Sequence, residues 1–280
     1  MQAAHRFRRR PLGVVALGVL LLVVLVGVLA PVLAPHSVTE FDFQITNHPP
    51  TLAGEHLFGT DQLGRDTLSR TLYATRASIS AAIVVALLAT ALGVVVGAIA
   101  GYYGRGIDNA LMRVVDLIVS VPAMGVLFAA IVFLGAATPK RVSEVLILYL
   151  WTTAARVVRS TVIAAREHEY VEAARAAGAS DARIVLRHLV PNALGSIIVS
   201  ATALFGQAIL LEAMVEFFSF GVDSNRTPTL GNLIADATKY TGLDPLWWLY
   251  TFPAVVLVVL LVCVNFVGDS LDEAFNPTSA

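Results

Sequence analysis

EYVEAARAAGASDARIVLRHLVPN, residues 169 to 192, interrupts a chain that is otherwise mostly apolar. It holds three Arg, three acids and one His, is rich in alanine, and contains a single glycine, Gly178. Ala, Glu and Arg favour a short helix from His168 to Ala177. Gly178 fits the position just past a helix end, where a left-handed backbone closes the last turn. Ser180 can cap a second helix from Asp181 to about Val190, with Asp181 favourable at the positive end. Pro191 then stops that helix or opens the next. Ala173, Ala174, Ala176 and Ala177 leave the first helix nearly smooth, so another protein's backbone could approach it closely. The plainer alternative is an amphipathic hairpin that only joins two longer segments.

The flanking sequence decides where this charged stretch sits. The chain is 57% hydrophobic and 14% charged, against roughly a quarter charged in soluble domains. A soluble protein of 280 residues could not bury that much apolar surface, so an integral membrane protein is expected. Leu12 to Ala34 runs without a charge behind Arg6, Arg8, Arg9 and Arg10. The run is too long for a signal-peptide core, and Pro31 would follow the apparent Val28-Leu29-Ala30 cleavage site, so it reads as an anchor. Further spans read as about Ala77–Ala100, Val114–Ala136, Val142–Val158, Ala193–Val215 and Trp247–Val267. The fourth is weak, because its charge-poor part ends at Arg156 and includes Glu144.

Charge bias arbitrates. With six spans and an internal N-terminus, 12 Lys and Arg face the cytoplasm and 7 face outward. Dropping the fourth span reverses the excess, against the positive-inside rule. The expected fold is therefore all-α, with six transmembrane helices and both termini cytoplasmic, and with residues 169–192 in the cytoplasm. Residues 1–76 are expected to form an anchor helix (about 12–34) and external loop, and residues 77–280 a five-helix core with a cytoplasmic loop at about 166–191. Arg156 and Arg159 can snorkel to the inner surface. Asp116 reads as an i,i+3 partner of Arg113. Gly93, Gly97 and Gly101, four residues apart, make one flat helix face suited to close helix packing.

Three motifs carry a resemblance. Glu172-Ala173-Ala174, three residues, Gly178 and then twelve residues to Pro191 resembles the EAA loop of permease subunits in binding-protein-dependent ABC importers. Phe58-Gly59-Thr60-Asp61-Gln62-Leu63-Gly64-Arg65-Asp66, with Ser69-Arg70, is similar to the GTDxxGRD motif of the dipeptide and oligopeptide branch. Gly101-Tyr102-Tyr103-Gly104, Asp108-Asn109, Met112-Arg113 and Asp116 agree with it. The resemblance runs from about residue 8 to Pro277 and implies a type I ABC importer permease in a bacterial cytoplasmic membrane, working on di- or oligopeptides. Nickel, haem, glutathione and aminolevulinate transporters share the pattern.

In that family the EAA loop is a coupling helix that seats in an ATPase groove, which gives Glu172, Ala173, Ala174, Gly178, Ser180 and Pro191 a coupling role. The implied partners are a second, homologous permease forming a heterodimer, two ATPase subunits or one fused ATPase, and an extracytoplasmic binding protein. The lipid bilayer is the surrounding medium, and no nucleic acid is expected. Both lysines, Lys140 and Lys239, lie outside any Gly-Lys-Ser/Thr sequence, so the chain has no phosphate-binding P-loop. ATP and Mg are expected on the ATPase partners, with no cofactor, catalytic residue or metal in this chain.

Two readings from other classes are an intramembrane enzyme and a membrane scaffold. His168-Glu169-Tyr170-Val171-Glu172 lacks the second His of a zinc HExxH motif. His36, His48 and His56 are scattered through the first external loop, where a zinc site is the sharper reading and solvated side chains are the plain expectation. Glu212 and Glu216, one helical turn apart near the outer mouth, are candidates for the translocation path, since acids within spans are rare and functional. Here the chain departs from the family, which usually continues Glu-Ala-x-Leu-Ser-Phe-Leu-Gly-Leu-Gly, and Leu230 stands where Trp is common. Substrate class is the property those departures touch.

Overall fold

The computed structural model describes residues 2–51, 54–134, 138–218, 223–239 and 246–275. Every extended regular element among them is helical, with one isolated bridge between Thr60 and Asp66. The chain opens with α1 (Gln2–Arg8) and enters α2 (Pro11–Val28) through a proline, which has no N–H to lose at a helix start. The anchor expected over about 12–34 is two pieces. Pro31 cannot donate to the helical ladder, the helix breaks at Leu29, and the short α3 (Ala30–Leu33) follows.

The second expected span is longer than its apolar stretch. It becomes α4 (Thr67–Tyr103), 37 residues, because Asp66, eleven residues before Ala77, caps it by accepting from the Ser69 amide at 2.7 Å. A helix of that length extends about 55 Å, well beyond a hydrocarbon core of about 30 Å.

The third expected span, Val114–Ala136, is broken instead of continuous. It divides into α5 (Arg105–Val119) and α6 (Ala123–Leu134), which meet at 82°. Pro122 sits at the bend; it lacks an N–H and disfavours helical backbone at Val121. The last two residues of that expected span, Gly135 and Ala136, lie outside the described residues.

The weakest expected span forms one of the longest helices, α7 (Pro139–Ala165). Its apolar signal is thin because it is packed by protein: Val142, Leu146, Leu150, Ala154, Ala155, Val158 and Val162 are all buried. A helix that packs one face on its neighbours need not be apolar all round. Beyond it come α8 (Glu169–Ala176), α9 (Asp181–Ile184), a π turn (Val185–Leu189), α10 (Val190–Asn192), α11 (Leu194–Phe217), α12 (Leu230–Thr238) and α13 (Trp247–Phe275). Among the described residues, five helices (α2, α4, α7, α11 and α13) are each long and apolar enough to cross a membrane, and α5–α6 adds a sixth crossing if it is one bent span.

The core forms where α4 meets α7. A Cβ on Gly93 would run into the Cβ of Ala154 and come within 2.8 Å of the Ala155 amide. One on Gly97 would lie 2.5 Å from the Ala155 carbonyl, and one on Gly101 would lie 2.9 Å from the Arg159 carbonyl. Backbone therefore packs on backbone along three turns, as small residues at four-residue spacing allow.

The bundle has two ends of different make-up. At one, Arg10 pairs with Glu273 and the start of α11 packs on Phe275, so the N-terminal arginines, the loop of residues 166–192 and the end of α13 lie together. At the other, the starts of α4 and α13 and the end of α11 carry the segments 35–51, 54–66 and 223–239.

Candidate functional site

The loop after α7 is held from below by three side chains with no exposure. Val171, Ile184 and Leu189 pack with Ala98, Tyr102, Val158, Val162 and Ala165 on the ends of α4 and α7. Polar ties surround that apolar seat. Arg166 donates to the Gly101 carbonyl at 2.9 Å, one of the last α4 carbonyls and otherwise without a helical partner. The Tyr102 hydroxyl donates to Asp181 Oδ1 at 2.6 Å. Asp108 and Arg159 form a two-pronged ion pair, Nη2 to Oδ2 at 2.6 Å, between α5 and α7.

Gly178 sits at φ +81°. Its amide donates to the Arg175 carbonyl and the Ala179 amide donates to the Ala174 carbonyl, both at 3.0 Å. That pair of bonds is a Schellman closure, which needs a left-handed residue at this position. Ser180 occupies the start of α9 in extended backbone, without a side-chain cap bond. The second expected helix, Asp181 to about Val190, is α only to Ile184; the π turn carries the chain on to Val190 and Pro191. Pro191 lies at the first turn of α10, where its missing N–H costs no ladder bond.

The alanines divide between two faces. Ala174 is half-buried and packs inward on the Val171 cluster. Ala173, Ala176 and Ala177 are exposed beside Glu172, at i, i+3 and i+4 on one outer face of α8. Ala174 therefore does not share the exposed small-residue face of Ala173, Ala176 and Ala177. Asp181 is likewise tied to Tyr102 instead of standing free, and Asp116 pairs at 2.8 Å with Arg156, not with Arg113. The cross-helix ties of Arg156, Arg159 and Arg166 were not readable in advance, because contacts 40 to 65 residues apart leave no local pattern.

The Gly59–Asp66 motif builds a knot at the opposite end. Asp61 Oδ1 accepts from the Leu63 and Arg65 amides at 2.9 and 3.0 Å, and Oδ2 accepts from Arg65 Nε at 2.7 Å. Arg65 also donates to Asn225 Oδ1 at 2.7 Å and Arg70 to the Ser224 carbonyl at 3.1 Å, which fastens segment 223–239 to the first loop. Gly64 needs its glycine twice over: φ is +72°, and a Cβ would strike the Asp42 carbonyl. Trp248 Nε1 donates to the Thr60 carbonyl at 3.1 Å. Glu212 and Glu216 lie nearby, 5% and 2% exposed at the end of α11. Glu212 shares a hydrogen bond with Ser78, while Glu216 packs against Gly231 of α12. Leu230 is fully buried there.

The fold is similar to that of a solved chain described as the inward-facing MetNI methionine ABC transporter. The TM-score is 0.52 at 25% identity, covering 71% of this chain and 93% of that one. The bundle and its mounted loop thus define a type I ABC importer permease. Residues 93–279 match the family model described as binding-protein-dependent transport system inner membrane component, and residues 1–50 match the N-terminal transmembrane domain of oligopeptide transport permease C.

Two relatives agree over nearly the whole length. The oligopeptide transport system permease protein OppC of Mycobacterium tuberculosis (strain ATCC 25618 / H37Rv) is 36% identical, over 98% of this chain and 93% of its own. The dipeptide transport system permease protein DppC of Bacillus subtilis (strain 168) is 32% identical, over 98% and 84%. The chain belongs to the family of inner membrane components of binding-protein-dependent transport systems, and it is a multi-pass protein of the cytoplasmic membrane.

Proposed function

We propose that this chain is one of two permease subunits of an ATP-driven importer of di- or oligopeptides, with α8 as its coupling helix. The observation that carries this reading is α8 itself: a short helix, closed rigidly at Gly178, seated on the ends of α4 and α7, with Ala173, Ala176 and Ala177 turned outward. A helix so mounted passes rigid-body movement of a partner directly into two long spans. The peptide substrate rests on the permeases OppC and DppC, similar over 93% and 84% of their own length.

The rest of the assembly follows from the family. Hydrolysis of ATP belongs to separate cytoplasmic subunits, a homologous permease completes the path, and a binding protein delivers the substrate from outside. The end of the bundle carrying residues 166–192 faces the cytoplasm. The 12 basic residues assigned there against 7 at the other end support that orientation. Glu212 and Glu216 meet a passing cationic group only once α12 moves off the end of α11.

Ala173→Arg and Ala176→Arg place a long charged side chain on the outer face of α8 without entering the seat beneath it. In the complete transporter, each variant is expected to abolish ATP-dependent uptake into vesicles, with the complex either losing its ATPase subunits or hydrolysing ATP without transport. Glu40→Arg, exposed at the opposite end, should transport normally. Normal uptake by both alanine variants would overturn the assignment of α8. The ligand carried by the co-purified binding protein, identified directly, decides between peptides and another solute.

A further inference from the structure

The first loop brings together residues that lie far apart along the chain. His36 follows α3, and its amide is fixed to Ser69 Oγ at 3.1 Å. Glu55 and His56 precede the Gly59–Asp66 knot. The two imidazole rings lie 4.6 Å apart, centre to centre, and ligand atoms of His36, Glu55 and His56 all fall within 4.8 Å of one another. Asp66 stands behind them: its Oδ1 is 2.9 Å from His56 Nδ1 and its Oδ2 is 3.9 Å from His36 Nδ1.

We propose that His36, Glu55 and His56 bind one divalent transition-metal ion of the zinc class, with Asp66 as the supporting carboxylate. This site is independent of the transport reading, and it revises the expectation that the chain holds no metal. The donor chemistry fits: two imidazoles and one carboxylate suit zinc and its neighbours, and suit magnesium or calcium poorly. The support is also of the right kind. A hydrogen bond from His56 Nδ1 to Asp66 leaves Nε2 as the coordinating atom and orients the ring, which is how metal-bound histidines are usually held.

Helix capping alone explains Asp66 and its bond to His56. It leaves His36 unexplained, because Nδ1 of that ring is enclosed and has no hydrogen-bond partner. Such an atom is costly in a finished structure. Closing the three ligands onto an ion at bonds of about 2.0–2.2 Å takes small side-chain rotations, which the exposed Glu55 and half-buried His36 can make. With three protein ligands, the fourth position is open to water. The ion would staple the segment after α3 to the loop before α4.

The test uses the complete, tag-free transporter, stripped with EDTA and titrated with zinc chloride, with bound metal measured by mass spectrometry. The wild type is expected to hold one zinc per chain more than the His36→Gln, Glu55→Gln double variant. Each single variant should bind at least about tenfold more weakly. Zinc should raise the melting temperature of the wild type and leave the double variant unmoved. His56→Gln is set aside as a probe because His56 also holds the cap of α4. His48→Gln is the control: this exposed residue contacts the Pro49 carbonyl, and its loss should change nothing. Equal zinc content in the wild type and double variant, or loss of binding in His48→Gln, overturns the site.

Discussion

At Gly178 the loop depends on one backbone angle. A Cβ there would meet nothing within 4 Å, so space is not the constraint; φ +81° is. Gly178→Ala is therefore expected to cost about 1–2 kcal/mol, the penalty of a left-handed conformation, and Gly178→Val more. Faster amide exchange confined to residues 169–184 would register it, with the transmembrane bundle unchanged. Tyr102→Phe removes the hydrogen bond to Asp181 and should cost about 0.5–1.5 kcal/mol, read in the same amides. Asp181→Asn should reproduce that loss in part, although an acid at the start of a surface helix looks solvated in the sequence. Position along the chain gave Gly178 its role correctly, because the Schellman closure is local. It could not give Asp181 its partner, which comes from a residue 79 positions away.

Among whole elements, α4 and α7 were legible to different degrees for one physical reason. The apolar stretch of α4 is continuous, whereas α7 breaks its own with Thr152, Arg156 and Arg159, which it carries because Thr152 is buried against protein and Arg156 and Arg159 pair with Asp116 and Asp108. The glycine spacing of α4 marked a packing face in the sequence, while the partner was unstated. The 82° bend between α5 and α6 was missed because Pro122 lies inside a charge-free run from Leu117 onward, where length alone argues for one straight span. The contact between α4 and α7 is testable by size. Gly97→Leu forces a side chain into the Ala155 carbonyl and should cost more than the roughly 1–3 kcal/mol of ordinary overpacking, because the obstacle is backbone. Gly18→Leu meets nothing within 4 Å and should be tolerated. The amount of folded protein recovered in mild detergent, and its melting temperature, separate the two. Equal recovery would mean that the helices can part without loss.

Across the whole molecule, the knot at the far end ties three distant segments through Asp61, Arg65 and Arg70. Arg65→Met leaves the Asp61 carboxylate buried without its closest partner, at a cost of about 3–5 kcal/mol, and unfastens Asn225. The expected result is a lower melting temperature of the assembled transporter and proteolytic nicking within residues 223–239. If Asp61→Asn in the Arg65→Met background restores neither, the ion pair is not what holds the two loops. The motif was plain in the sequence, but its purpose was not, since Asn225 and Ser224 carry no pattern of their own. Along the seam of α4 and α7, one further property follows. A shift of α4 by a single residue, about 1.5 Å, would carry Gly93, Gly97 and Gly101 off their facing backbone and drive larger side chains into it. The two helices cannot slide past each other; they form a keel. Any rearrangement of this chain during the proposed transport cycle is therefore expected to carry the keel as one rigid body, with the moving surfaces lying outside the seam.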